Sequence, residues 1–418
     1  MVSVTKNNTP ALRFDGFDDE WGENTLEQLF EYGGSGGTPA KSRPEFYGGH
    51  IPFLGIADIK NRVITHTDKT ITELGLKKSA AWKVPAGAIS LAMYASVGRV
   101  GITGMELATS QAFYNMVFSE DAIRSFVYTH LEKMELMSEW EVYISTGTQR
   151  NLNAFKVRTL PIKIPSSYQE QRAIGELFAD LDALIEQHRA KHANLQQTKT
   201  ALMQRMFPQD GADEPELRLG GFSGKWGTSE LQDLADKFTD GDWIESKDQS
   251  TGGIRLLQTG NVGVSQFLTK AGSEKWVSES TFHRLRCEEV LPGDILISRL
   301  PEPAGRACKV PALPYKMITA VDCTIVRTDS SNDPDFILAY LSTTEYFDSI
   351  RLMLAGGTRQ RVSRSNLATI PVPTPPTLEE QRAIGEIFAD LDALIAAESR
   401  YIMQLTQAKT ALLQRMFV

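Results

Sequence analysis

At 418 residues, with 41% hydrophobic and 23% charged side chains, the chain has an ordinary globular composition and room for two or three domains. Its 44 basic and 52 acidic residues leave a formal charge of −8, which excludes the strongly basic footprint of a free-standing nucleic-acid binder. Met1–Pro10 is polar, no apolar run nears the roughly 20 residues of a membrane span, and Cys287, Cys308 and Cys323 lack metal-ligand spacing; a cytoplasmic protein away from membranes is expected.

Residues 1–165 read as a first globular domain, nearly balanced at 17 Lys+Arg to 18 Asp+Glu. Residues 166–208 read as one long helix. Pro165 precedes it, Ser167 and Glu170 have capping-box spacing, and Pro208 ends it. Its apolar residues recur at Ile174, Phe178, Leu181, Ile185, Leu195, Leu202 and Met206. An acidic linker, 209–215, leads to a second domain, 216–375, and residues 209–375 together carry 18 basic and 23 acidic residues. A second long helix, 376–418, opens with Pro376, Thr377 and Glu380 and repeats the stripe at Ile384, Phe388, Leu391, Ile395, Ile402, Leu405, Leu412 and Met416. Each stripe is a seam of about five heptads, a rod of roughly 57 Å.

The order domain, helix, domain, helix is a duplication. EQRAIGELFADLDALI at Glu170–Ile185 returns as EQRAIGEIFADLDALI at Glu380–Ile395, and Lys199–Phe207 matches Lys409–Phe417. Gly147-Thr148 and Leu160-Pro161 match Gly357-Thr358 and Ile370-Pro371, while Leu12-Arg13 and Trp21-Gly22 match Leu217-Arg218 and Trp226-Gly227. Between these anchors only apolar alternation and glycines are shared. A constant frame around divergent interiors points to one scaffold serving two different ligands. Each helix finds a partner in its own copy. Antiparallel pairing inside one chain would give a pseudo-two-fold molecule with a domain at either end; pairing between two chains is the alternative. Polar residues interrupt the seam at His188, His192, Lys199, Glu398 and Lys409, either as register control or as solvated positions. No further ligand accompanies His188 and His192, so no metal is expected there.

These features resemble the specificity subunits of type I restriction–modification enzymes. Ser35–Gly49 (SGGTPAKSRPEFYGG) with Ile51-Pro52-Phe53 is similar to the opening motif of their target-recognition domains. Gly147–Gln149, Leu160-Pro161-Ile162 and Glu170-Gln171-Arg172, repeated at Gly357–Arg359, Ile370-Pro371-Val372 and Glu380-Gln381-Arg382, resemble the exit into the family's helix. The resemblance implies an α/β (α+β) fold, with two target-recognition domains joined by two long helices in an antiparallel coiled coil. It further implies that each domain reads one half of a split site on double-stranded DNA. The helices would set the unread spacer and dock two methyltransferase subunits, and motor–nuclease subunits would join that core. S-adenosylmethionine, ATP and Mg belong on those partners, and none is expected on this chain. The second domain departs from the pattern, with DGDWIESK at Asp240–Lys247 where the opening motif would stand.

Reading DNA requires side chains that reach base edges and a local positive surface. The first domain offers Lys41, Arg43 and Tyr47, then Tyr94, Ser96 and Arg99 in a glycine-flanked loop, then Gln149 and Arg150; Tyr47 and Tyr94 also suit a core. The second offers Lys247, then Arg299, Arg306 and Lys309 in a Pro/Gly-broken loop, then Arg359, Arg361 and Arg364, with no acid between Arg351 and Arg364. Catalytic motifs are missing: there is no Walker A string and no Asn-Pro-Pro-Tyr/Phe, and no Cys–His constellation suggests a hydrolase. The chain alone is therefore expected to be non-catalytic. Two rivals remain, a coiled-coil scaffold with protein- or sugar-binding arms and a nuclease built on Glu245–Lys247. Within the favoured class, a methylation-only complex is an alternative to a full restriction enzyme.

Overall fold

The structure, a computed structural model, describes residues 8–144, 151–209, 211–356 and 360–418. The candidates Gln149, Arg150 and Arg359 lie outside these residues, as do the Gly147–Gln149 and Gly357–Arg359 blocks. Two compact units emerge, one running up to Ala190 and including Arg400–Val418, the other Lys191–Ser399.

In the first unit the strands are β1 (Gly22–Thr25), β2 (Tyr32–Ser35), β3 (Tyr47–Leu54), β4 (Val63–Ile64), β5 (Lys69–Ile71), β6 (Trp82–Val84), β7 (Ile89–Ala92), β8 (Val100–Thr103), β9 (Leu107–Thr109), β10 (Phe113–Val117) and β11 (Pro161–Ile164). They form a sheet of order β2-β10-β7-β8-β4, a second of order β5-β3-β9-β6, and the ribbon β1-β11. The helices are α1 (Glu73–Lys77), α2 (Asp121–Leu136), α3 (Ala154–Arg158) and α4 (Tyr168–Met206). Strand β7 reads as an apolar run because both its faces are covered. Ile89 and Leu91 join Phe126 and Leu131 of α2 in one core, whereas Ala88 and Ala92 join Leu54, Val84 and Phe113 in another. Ser90, on the second face, is satisfied by Asn115 at 2.8 Å.

The second unit repeats this plan with β12 (Gly227–Glu230), β13 (Ala235–Asp240), β14 (Gln249–Ser250), β15 (Ile254–Leu257), β16 (Lys275–Val277), β17 (Ile295–Ser298), β18 (Ala307–Lys309), β19 (Met317–Thr319), β20 (Cys323–Thr328) and β21 (Pro371–Thr374). Its sheets are β13-β20-β17-β18, β14-β16-β15-β19 and the ribbon β12-β21. Its helices are α5 (Glu279–Leu285), α6 (Pro334–Tyr340), α7 (Thr344–Leu352), α8 (Arg364–Ala368) and α9 (Leu378–Met416). Strand β15 pairs β16 antiparallel and β19 parallel, as β3 pairs β5 and β9. The mixed α/β class is as expected.

The two long helices pair antiparallel within the chain. In the first unit Lys409 of α9 donates to Asp182 of α4, and His188 packs on Tyr401 with ring centroids 4.5 Å apart. In the second unit Lys191 pairs with Glu398, and Lys199 with Asp392 at 2.5 Å. Partners descend α9 as positions climb α4. Along the seam Ile174, Phe178, Ile185, Ile384 and Phe388 are buried, while Leu181, Leu195, Leu202, Leu391, Ile395, Ile402, Leu405 and Leu412 are half-buried. A seam between two helices covers only one side of each, so full burial is reached only where a domain packs over it. There Met203, Met206, Leu413 and Met416 complete the stripe.

Two sequence readings of the helices need correction. Lys199, Glu398 and Lys409 are not solvated. Lys409 is buried between Asp182 and Glu132 (2.6 Å from the latter), and Lys199 lies between Asp392 and Ser265. Lys199–Asp392 and Lys409–Asp182 occupy matching places in the two copies, so the duplication reproduces the pair as well as the residues. The capping boxes are only half formed. Ser167 and Thr377 accept from the backbone N–H of Glu170 (3.5 Å) and Glu380 (3.2 Å). The two glutamates instead take the forked guanidiniums of Arg13 (2.6 and 2.8 Å) and Arg218 (2.8 and 2.8 Å), a charge-assisted geometry that outcompetes a backbone N–H.

Aromatic clusters close each junction. Phe417 meets Trp21, Phe126 and Phe178 at centroid distances of 6.0, 5.2 and 6.1 Å, and Phe207 meets Trp226, Phe336 and Phe388 at 6.2, 5.6 and 5.9 Å. Gly175 and Gly385 admit this packing. A Cβ on either would stand 2.7 Å from Ser125 or 2.5 Å from Asp333.

Candidate nucleic-acid interface

The variable parts of each domain are three connections stitched together by hydrogen bonds. In the first domain Gly37 N–H donates to the Thr109 carbonyl (3.2 Å), Thr38 hydroxyl to Gln111 (2.7 Å), Met93 N–H to the Ala112 carbonyl (2.7 Å) and Leu152 N–H to the Met93 carbonyl (2.9 Å). The β2–β3 connection and the β7–β8 hairpin thus meet at the Thr109–Ala112 turn, the approach to α3 is bonded to that hairpin through Met93, and Tyr94 bridges Asn151. The second domain repeats the stitches: Asp242 N–H to Thr319 (2.8 Å), Arg299 N–H to Asp322 (2.9 Å) and Val362 N–H to Arg299 (3.2 Å).

This pattern aligns the copies where their sequences do not. Met93 corresponds to Arg299, and Thr38 to Trp243. Ala92 N–H donates to the Arg99 carbonyl (2.8 Å) as Ser298 N–H does to Arg306 (2.9 Å), so Arg99 corresponds to Arg306. Both hairpins turn on glycines with positive φ, Gly98 (+93°) and Gly305 (+86°). A Cβ there would stand 2.2 Å from the Trp140 ring or 2.8 Å from Ile350.

The candidates of the first domain fall at the surface with different freedoms. Lys41 is exposed. Arg43 is exposed and pairs with Glu45 at 2.5 Å. Tyr94 and Ser96 form the exposed hairpin tip, where Ala95 has φ +58°. Arg99 is half-buried, 3.7 Å from Glu135. Tyr47 is a loop brace rather than a reader: it is half-buried and its hydroxyl donates to the Pro39 carbonyl at 2.6 Å.

The second domain requires larger corrections. Arg299 occupies the buried Met93 position, is 4% exposed, and is held by the Val321 carbonyl (2.5 Å) and Asp240 (3.3 Å). Arg306 is buried and donates to the carbonyls of Val262 (2.6 Å), Thr259 (2.8 Å), Leu300 (2.8 Å) and Pro303 (3.0 Å). Burial pulls its pKa down, and its donors are spent on bracing the hairpin. Lys309 is neutralised by Asp335, both of whose carboxylate oxygens it reaches. What stays accessible is Arg361, exposed in a bridge with Ala355, and Arg364, which is 4.0 Å from Asp240 with 48% of its side chain exposed. Lys247 is exposed and pairs with Glu245 at 2.7 Å, whose hydrogen bond pushes its pKa up.

Two exposed residues escaped the sequence reading. Trp243, 72% exposed, lies inside the Asp240–Lys247 stretch, where a large aromatic among acids was the available signal. Arg284 of α5 pairs with Asp248 at 2.6 Å beside the same connection; nothing local in the sequence marks it. Among the described residues no group of three or more His, Cys, Asp or Glu side chains could hold a metal ion, and no helix is long and apolar enough to cross a membrane.

One α/β frame is present twice and presents different exposed loops each time. The family model described as "Type I restriction modification DNA specificity domain" matches residues 18–197 and again 223–407. The chain belongs to that family. It is 29% identical over 192 residues to the type I restriction enzyme MjaIX specificity subunit of Methanocaldococcus jannaschii, covering 45% of this chain and 44% of that protein. With the HindI specificity subunit of Haemophilus influenzae it shares 30% identity over 148 residues, 34% of this chain and 32% of that one. Each match thus spans less than half of the relative's length. The fold is shared with the crystal structure of a type I restriction–modification S subunit from M. genitalium, at a TM-score of 0.67 and 16% identity over 98% of this chain and 99% of that one.

Proposed function

We propose that the chain is the DNA-recognition subunit of a type I restriction–modification assembly, each domain reading one half of a split double-stranded site. The observation that carries this reading is the contrast between the copies. Junction pairs, aromatic clusters and backbone stitches repeat, while the side chains displayed on the stitched loops do not. The helix pair sets the unread spacer. It also docks two methyltransferase subunits, and the motor–nuclease subunits join that core; S-adenosylmethionine, ATP and Mg act on those partners. Exposed identity supports the docking role. Arg172, Glu176 and Asp180 on α4 and Arg382, Glu386 and Asp390 on α9 are solvent-facing yet unchanged between copies. Packing explains identity at buried positions; at exposed ones a partner used twice explains it. The net charge of −8 fits a reader whose phosphate attraction comes partly from those subunits.

Co-expression with the cognate methyltransferase subunit is expected to yield adenine methylation at a split, asymmetric motif in methylome sequencing. A continuous motif, or none, would refute the reading. Arg361 and Arg364 supply a local test. Their double replacement by Ala is expected to weaken DNA binding by the assembled complex and to lower the log–log salt slope by roughly one to two. An unchanged slope would assign both to solvated surface.

A further inference from the structure

The exposed indole of Trp243 stands out because the fold holds it there. Asp242, immediately before it, is fixed by its N–H to Thr319, by Val321 N–H to its carbonyl (2.9 Å), and by Glu288 N–H to its carboxylate (2.9 Å). Ile244, immediately after it, packs against the buried cluster of Ile254, Leu256, Val277, Cys287 and Ile318. Trp243 is therefore pinned on both sides, yet its own ring is not used by the core. An exposed tryptophan on rigid support is unusual, since this residue is on average highly buried.

Its surroundings suit a nucleic acid. Lys247, Arg284 and Arg286 are exposed on the same connection and on or just after α5. Arg364 lies near Asp240, the last residue of β13 before the connection begins. The nearby acids are largely engaged: Asp248 by Arg284, Asp240 by Arg299 and Arg364, and Glu245 by Lys247. The indole itself, 72% exposed, is left to offer a contact. The corresponding residue of the first domain, Thr38, is small and tied to Gln111. The copies thus differ in chemistry at a position whose backbone they share.

We infer that Trp243 is a specificity-determining residue of the second domain, placing its indole against the bases of that domain's half-site. This rests on the DNA-reading function proposed above. Apolar contact with a base edge or step discriminates among bases without a hydrogen bond, while the flanking cations hold the phosphates.

The test is methylome sequencing of cells carrying the methyltransferase subunit with wild-type chain, W243A or W243F. A split motif from the wild type establishes the underlying function; its absence would defeat that function and not the assignment of Trp243 alone. Given that motif, W243A is expected to relax or change one or two positions in one half-site only, with W243F retaining most of the discrimination. Affinity of the assembled complex for the cognate site should fall roughly ten- to hundredfold in W243A, far more than for a site altered in that half. Weakened affinity with intact subunit assembly supports the inference even if methylation falls below detection. Unchanged half-sites with unchanged affinity overturn it. Failure of W243A to assemble with the methyltransferase subunit also overturns it, assigning the indole to a protein contact.

Discussion

Replacing Glu170 by Ala is expected to destabilise the first unit by about 3–5 kcal/mol, and Glu380→Ala to do the same in the second. Both carboxylates are at most 1% exposed, and each receives a two-pronged guanidinium, from Arg13 and Arg218. Trp21 adds an indole N–H to Glu170 at 3.4 Å. Removing the glutamate leaves Arg13, 13% exposed, without its forked partner, and Arg218, 15% exposed, with only Glu214 at 3.9 Å. The penalty is chiefly that of an orphaned charge, so the pair's net worth against an apolar substitute is smaller. Arg13→Lys should be milder, because an ammonium can satisfy one oxygen but not the planar fork. Urea unfolding of the full chain is the measurement, with the two single variants and the double variant compared. Because the pairs share no partner, their effects should add to within about 0.5 kcal/mol. Losses below about 1 kcal/mol would mean that water or rearrangement relieves the orphaned charge.

That pair also marks what the sequence makes legible. Arg13 and Glu170 each stand in repeated segments, so their importance was visible, but 157 residues separate them and no local rule joins them. The local rule that did apply, the capping box, assigned Glu170 to its own helix end and was outweighed by a distant arginine. The long helices were readable throughout because a heptad stripe reports its own burial. Polar interruptions were harder: Lys409 is buried only because Asp182 and Glu132 converge on it from two other elements.

The loop residues were least legible, for a related reason. Arg99 and Arg306 hold one position in two copies of a hairpin, yet one is half-exposed near a glutamate and the other is buried under four carbonyls. Their fates differ through Thr259 and Val262, more than forty residues away in sequence. A basic residue in a Pro/Gly-broken loop is thus equally compatible with gripping DNA and with bracing the loop. Exposure separates the two, and leaves Arg361, Arg364 and Lys247 as the accessible cations among the second-domain candidates in the described residues.

The proposed ruler gives the other large effect. Deleting 188–194 from α4 together with 396–402 from α9 removes one heptad from each helix. The cut takes out the His188–Tyr401 and Lys191–Glu398 contacts as matched sets, while Lys199–Asp392 and Lys409–Asp182 stay intact in their own units. Seven residues keep the seam in phase and shorten the rod by about 10 Å, equivalent to about three base pairs of B-DNA. The expected methylome is a split motif with both half-sites unchanged and the unread spacer altered, about three bases shorter if the shortening transfers directly. Deleting the heptad from one helix alone should instead lose methylation, since the two Lys–Asp pairs can no longer form together. An unchanged spacer in the doubly shortened chain would separate the helices from spacing. Altered half-sites would show that base reading extends into the helices.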